Sequence, residues 1–113
     1  MNASSSGLPE ATIEKIRGVF ALHPQVERAV LYGSRAKGNY KNSSDIDLTL
    51  FGDGLNDGEL MNLSDELDEL LLPYTIDLSI YARLDHADLR EHIQRVGTVF
   101  YTRQLSEQIG GGK

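Results

Sequence analysis

The chain has 113 residues and a formal charge of −6 at pH 7, which is the size of one domain and argues against strong non-specific binding to nucleic acid. It contains no cysteine, so disulfides, thiolate nucleophiles and cysteine-based zinc sites are excluded. No apolar run is long enough to cross a bilayer and no basic, apolar leader opens the chain, so we expect a cytoplasmic protein.

The first half of the chain predicts one helix and one strand before its first polar loop. Residues 9–22 predict a helix, because their apolar side chains recur at helical spacing behind a proline. Arg28–Tyr32 is a short apolar run that predicts a buried strand ending at a Gly-Ser pair. The polar stretch 35–44 predicts a loop or one short helical turn.

The second half predicts two strands and two helices. Residues 45–51 and 75–81 alternate between apolar and polar side chains, which predicts the second and third strands. Residues 57–72 and 86–101 carry apolar side chains at helical spacing and predict helices, the first of which is ended by Pro73. The predicted order is α-β-β-α-β-α, an α/β (α+β) domain over residues 9–105. The small or polar residues 1–8 and the glycine-rich residues 106–113 predict flexible ends.

Acidic side chains lie on the polar faces of two predicted strands. Asp45 and Asp47 point the same way because they are two residues apart, and we expect Asp77 beside them at the matching point of the third strand. Three clustered carboxylates repel each other unless a divalent cation neutralises them. Hard oxygen ligands favour magnesium, so the pattern predicts a metal centre suited to two-metal phosphoryl chemistry.

The pair Gly33-Ser34, at the end of the first strand, supplies the other half of the predicted site. Its backbone N–H groups are free to face a phosphate, glycine permits close approach, and the Ser34 hydroxyl adds a contact. Arg35 or Lys37 could offset negative charge on a departing pyrophosphate. The three histidines lack metal-ligand spacing, so no catalytic role is assigned to them.

These motifs resemble a known signature. Gly33-Ser34, ten intervening residues, Asp45-Ile46-Asp47 and a later strand aspartate resemble the DNA polymerase beta-type nucleotidyltransferase superfamily. The segment GSRAKGNYKNSSDIDLTL is similar to minimal nucleotidyltransferases, short prokaryotic proteins encoded beside a helical HEPN-type or substrate-binding partner. The resemblance spans about residues 28–101. It implies a polymerase beta-like palm, a small mixed sheet of three to four strands with helices packed on one face.

The resemblance also implies a role for each matching residue. The nucleotide-binding candidates are Gly33, Ser34 and Arg35, and Gly38 fits a glycine common in the intervening loop. The acidic candidates for metal binding and catalysis are Asp45, Asp47 and Asp77. In the family the pair holds magnesium, here expected as two ions, and the third acid acts as base toward the acceptor hydroxyl.

The implied reaction is transfer of a nucleoside monophosphate, AMP from ATP or another nucleotide, to a hydroxyl group. One interpretation is a protein adenylyltransferase that neutralises a HEPN-type partner toxin as its antitoxin. Another is the catalytic subunit of a two-component enzyme acting on a small molecule, of the aminoglycoside nucleotidyltransferase kind. A third is a non-catalytic antitoxin that acts by binding alone. Each implies a partner chain, in a homo- or hetero-oligomer.

Two interpretations from outside this family are also open. In the simplest, Gly33-Ser34 is a plain turn and the aspartates are solvated on an exposed sheet face. In the other, residues 45–49 match the DxDxT pattern of haloacid-dehalogenase-like phosphatases, whose nucleophile follows an apolar strand. The polar residues 41–44 instead place Asp45 at the start of a strand, which disfavours that match.

Overall fold

The structure of the chain, a computed structural model, describes residues 6–103. Its helices are α1 (Glu10–Ala21), α2 (Ser34–Lys37), α3 (Asp57–Asp68) and α4 (Ala87–Val96). Its strands are β1 (Arg28–Tyr32), β2 (Ile46–Phe51), β3 (Ile76–Ile80) and β4 (Thr98–Thr102), and one 3₁₀ turn covers Tyr81–Arg83. None of these helices has the length and apolar character that a membrane span would require.

The four strands form one mixed sheet in the order β3-β2-β1-β4. Strand β1 runs antiparallel to both β2 and β4, whereas β2 and β3 are parallel and are joined through α3. The predicted α/β class with a small mixed sheet is therefore confirmed. The two central strands of the sheet are β1 and β2.

One face of the sheet carries the main core. The apolar rows of the strands pack there against the inner faces of α1 and α3, as periodicity predicts. The fully buried side chains of this core include Ile13, Ile16, Phe20, Leu31, Ile46, Leu48, Leu50 and Leu63. Since successive strand residues alternate between faces, this packing turns the polar rows of β2 and β3 to the opposite face.

Helix α4 lies on that opposite face, where Ile93 packs against Val30 and Tyr32. Gly97 allows this close approach, because a Cβ atom there would meet the Ile93 carbonyl oxygen and lie 2.7 Å from Cγ1 of Val30. The helices thus occupy both faces of the sheet. The prediction that all helices pack on one face is wrong for α4.

The fourth strand replaces the end of a predicted helix. The sequence pattern predicts that residues 98–101 continue the last helix, but α4 ends at Val96 and the chain becomes extended after Gly97. Threonine, valine and aromatic residues favour a strand in this segment, and pairing with β1 satisfies its backbone groups. Helix α3 is also shorter than predicted: it ends at Asp68, and Leu71 adopts a φ of 56° before Pro73 is reached.

The predicted flexible ends lie mostly outside the described residues, which exclude 1–5 and 104–113. Ser6 and Leu8, which belong to the predicted N-terminal end, are buried at 1% and 5% exposure. The packed part of the chain therefore includes residues ahead of Pro9.

His23, in the loop between α1 and β1, contacts two glutamates of helix α3. Its Nδ1 lies 2.6 Å from Oε2 of Glu59, and its Nε2 lies 2.9 Å from Oε2 of Glu66. Burial disfavours the imidazolium, but the hydrogen bonds and charges of Glu66 and Glu59 outweigh it and raise the pKa of His23 above its ordinary 6.5. The contact is strongest when His23 is protonated.

We expect this contact to make stability depend on pH. Its contribution is fully present below the unfolded pKa of His23 and is lost as the pH rises through the raised folded pKa. His23→Gln should therefore lower the free energy of unfolding by about 1 kcal/mol near pH 6 and by less near pH 9. Urea unfolding at both pH values measures this difference. Equal losses at both pH values would contradict it.

Candidate active site

The polar face of the sheet brings two of the predicted aspartates together. The register pairs Asp47 of β2 with Asp77 of the parallel strand β3, and it pairs Asp47 with Tyr32 on the other side. Asp47 is half-buried, whereas Asp45, just before β2, and Asp77 are exposed. Asp47 therefore lies at the centre of the site, between Tyr32 of β1 and Asp77 of β3.

The electrostatic environment of Asp47 is unfavourable for its own charge. Burial raises the pKa of its carboxyl above the ordinary 3.8, and the negative charges of Asp77 and Asp45 raise it further, while His92 opposes them. A cation beside Asp47 would remove this penalty. The face thus has the chemistry of a cation-binding surface.

The acidic residues fit a magnesium ion that arrives with phosphate ligands. Among residues 6–103, no three histidine, aspartate or glutamate side chains converge closely enough to form a metal-ligand set by themselves. Magnesium in nucleotide sites is usually bound by one or two carboxylates, with phosphate oxygens and water completing its shell. Asp47 with Asp45 or Asp77 fits that mode and not a closed protein cage.

Beyond the aspartates, the polar face of the sheet carries the hydroxyl groups of Thr49 and Ser79, which are paired in the register of β2 and β3. Ser79 Oγ of β3 donates a hydrogen bond to Oγ1 of the buried Thr49 at 2.9 Å. Burial raises the pKa of the Tyr32 phenol, and the charges of Asp77 and Asp47 add to this, while a hydrogen bond with Ser79 opposes them. Tyr32 therefore stays protonated, and the polar face gains no further negative charge from it.

The Gly-Ser turn adjoins the central carboxylate. Gly33 has φ 79° and ψ −157°, and a Cβ atom at this position would overlap Oδ2 of Asp47. Ser34 follows as the first residue of α2 and is half-buried. The one-turn helix ends at Lys37 and is capped by Gly38, whose φ is 89° and whose N–H donates to the Ser34 carbonyl at 2.9 Å. The structure thus places the predicted phosphate turn directly against Asp47.

Two glycines allow the role of this contact to be tested. Gly33→Ala should displace Asp47 and weaken magnesium–ATP binding by about tenfold, because one hydrogen-bonded ionic contact is lost. Gly38→Ala is the comparison variant: it also places alanine at a positive φ, in the αL region at ψ 1°, where the strain costs about 1 kcal/mol, but a Cβ there meets nothing within 4 Å. Gly33, at ψ −157°, lies outside the αL region, so its variant adds backbone strain to the clash with Asp47. Isothermal titration calorimetry measures both affinities. Equal affinity for the two variants would contradict a steric role of Gly33 at Asp47.

Arg35 takes a different role from the predicted phosphate contact. Its side chain is only 3% exposed, and it lies between the rings of Tyr40 and Tyr74, at 5.2 and 5.1 Å from their centroids. Its guanidinium donates hydrogen bonds to backbone carbonyls of Ser6, Lys41, Asn42 and Ser44. Arg35 therefore holds the loop that leads into Asp45. Its observed role is structural, in place of the predicted contact with phosphate.

His92 is a residue of the site to which the sequence assigned no role. The N–H of Gly33 donates to Nε2 of His92 at 3.3 Å, and the imidazole lies edge-on to the ring of Tyr32, with centroids 6.2 Å apart. No sequence spacing reveals this contact, because 59 positions separate its partners and it depends on where α4 crosses the sheet.

Comparison with known proteins places this geometry in a family. The family model described as polymerase beta, nucleotidyltransferase, matches residues 14–106. No curated protein sequence matches the chain. Solved structures with a similar fold include a toxin–antitoxin with AMP-PNP, with a TM-score of 0.65, 21% identity and coverage of 90% of this chain and 80% of that one.

A second similar structure is a tri-AMPylated Shewanella oneidensis HEPN toxin in complex with an MNT antitoxin. It matches with a TM-score of 0.62 and 18% identity, over 88% of this chain and 77% of that one. At such identities the likeness shows the fold, and it agrees with the palm-like sheet that the motifs implied. The family model spans most of the chain, including the turn and all three aspartates, so the chain belongs to the polymerase beta nucleotidyltransferase family.

Proposed function

We propose that this chain transfers AMP from ATP to a hydroxyl group of a partner protein. The observation that carries the proposal is the convergence of three neighbouring strands: the Gly33 turn on β1, Asp47 on β2 and Asp77 on β3. In this proposal the Gly33-Ser34 turn binds phosphate on one side of Asp47, Asp47 binds the cation, and Asp77 lies on the other side.

Each residue has a distinct task in this reaction. Asp45 and Asp47 hold the metal–triphosphate, and the Gly33-Ser34 turn donates to its phosphate oxygens. Asp77 accepts the proton of the acceptor hydroxyl, whose oxygen then bonds to the α-phosphorus as the bond to pyrophosphate breaks. Magnesium, when bound, supplies positive charge that offsets the charge building up on the phosphates. The exposure of Asp77 leaves it accessible to a large acceptor.

The acceptor is proposed to be a HEPN-type toxin that this chain neutralises as an antitoxin. Support comes from the solved complex of similar fold in which the HEPN toxin is tri-AMPylated. The polar face is open to such a partner, because the side chains of Asp45 and Asp77 are exposed. A hydroxyl on a bound helical protein would reach the exposed Asp77 from outside the sheet.

Label transfer tests the proposal. ATP labelled at the α-phosphate is incubated with magnesium, the purified chain and the helical protein encoded beside it. We expect covalent label on the partner, no label from γ-labelled ATP, and loss of toxicity after transfer. Label found only on an aminoglycoside-type small molecule would favour the two-component enzyme. Neutralisation without ATP would favour binding alone, and absence of both transfer and nucleotide binding would overturn the proposal.

A further inference from the structure

We infer that His92 is a positioning residue for the nucleotide turn, an inference that rests on the proposed function. The side chain comes from α4, which otherwise packs on the sheet through apolar residues such as Ile93. It is half-buried and accepts the Gly33 N–H through Nε2. His92 is thus the link between this helix and the turn that precedes α2.

The direction of this hydrogen bond defines the state of the imidazole. Because the Gly33 N–H donates, Nε2 must carry a lone pair, so the neutral ring carries its proton on Nδ1. The edge-on contact with Tyr32 orients the same ring from the strand that leads into the turn. The imidazole is therefore held by two successive residues of the chain, Tyr32 and Gly33.

The hydrogen bond from Gly33 to His92 uses one backbone N–H of the turn within the protein, so that N–H is not a donor to the nucleotide. The Gly33 N–H is occupied by His92, so in the proposed complex the next residue of the turn, Ser34, donates to phosphate through its N–H and hydroxyl. The backbone at Gly33 is then fixed twice, by the lack of space beside Asp47 and by the bond to His92. A fixed turn presents Ser34 in one orientation, so less ordering is required when nucleotide binds.

Variants of two histidines on the same helix test this role. His92→Ala should weaken magnesium–ATP binding and raise KM for ATP by about two- to tenfold, with a smaller change in kcat. His92→Gln, whose side-chain oxygen can also accept from Gly33, should restore most of the affinity. His86→Ala is the control, since His86 caps the start of α4 by accepting from the Leu89 N–H at 3.3 Å and does not contact the turn.

A spectroscopic measurement on the unaltered protein gives a second, independent readout. For the neutral imidazole of His92, NMR should show the tautomer with its proton on Nδ1 in the free protein, with the same tautomer and an unbroken bond to Gly33 after magnesium–ATP is added. Release of the imidazole by nucleotide would overturn the inference, because His92 would then only occupy the phosphate site. Equal ATP affinity for the unaltered protein and His92→Ala would also overturn it, while leaving the proposed function standing. Absence of ATP binding by the unaltered protein would overturn both.

Discussion

Replacing Asp47 by asparagine is expected to reduce nucleotidyl transfer by about 100- to 1,000-fold. The amide keeps the shape of the side chain but removes the central negative charge that would hold the metal–triphosphate between β1 and β3. The measurement is the initial rate of label transfer from α-labelled ATP. Asp53→Asn, in the exposed loop after β2, is the matched control and should retain full activity.

The same variant should not lose its fold. A raised folded pKa means that the contribution of Asp47 to stability is present at low pH and is lost as the pH rises from about 3.8 through the folded value. At neutral pH and without divalent cations, Asp47→Asn should therefore have a Tm at or above that of the unaltered protein. A lower Tm at neutral pH, or retained transfer activity, would contradict the assigned role of Asp47.

Replacing Arg35 by alanine is expected to lower the free energy of unfolding by about 3 to 5 kcal/mol. The change leaves backbone carbonyls of residues 6, 41, 42 and 44 without their donor, and it empties the space between Tyr40 and Tyr74. Urea unfolding measures the loss. Because the loop before Asp45 would also loosen, magnesium–ATP affinity should fall in the same variant.

Two substitutions separate the geometry of Arg35 from its charge. Arg35→Lys keeps the charge but not the planar fork, so it should recover less than half of the lost stability. Lys37→Ala, two residues on and exposed, should change stability by less than about 0.5 kcal/mol. If Arg35→Ala were equally harmless, the hydrogen bonds to the loop would have no stabilising role.

The parts of the fold that could be predicted are those with local patterns. Alternation along β2 and β3 identifies both the buried aliphatic face and the row that carries Asp47 and Asp77. The parallel register between these strands, which the motif only implied, then places the two carboxylates side by side. The family assignment follows from the same residues, because spacing along the chain is what both the motif and the family model record.

The parts that could not be predicted depend on contacts between distant segments. Val96 and Phe100 fit the helical spacing of α4, so the sequence pattern does not predict the strand that follows Gly97. The threonines and aromatic residues of that strand favour β structure and are the local signal for it. The place of Arg35 beside the Gly-Ser pair predicts a phosphate contact, but the backbone carbonyls that its guanidinium binds come together only in the folded chain. The role of His92 depends on how α4 crosses the sheet.

The position of β3 as an outer strand of the described sheet has a kinetic consequence. Neighbouring strands lie about 4.8 Å apart, so the turn on β1 and Asp77 on β3 are separated by about 10 Å, with Asp47 between them. ATP and the acceptor would therefore approach from opposite sides without blocking each other. Under the proposed function, this separation predicts direct transfer within a ternary complex, without a nucleotidylated form of the chain itself.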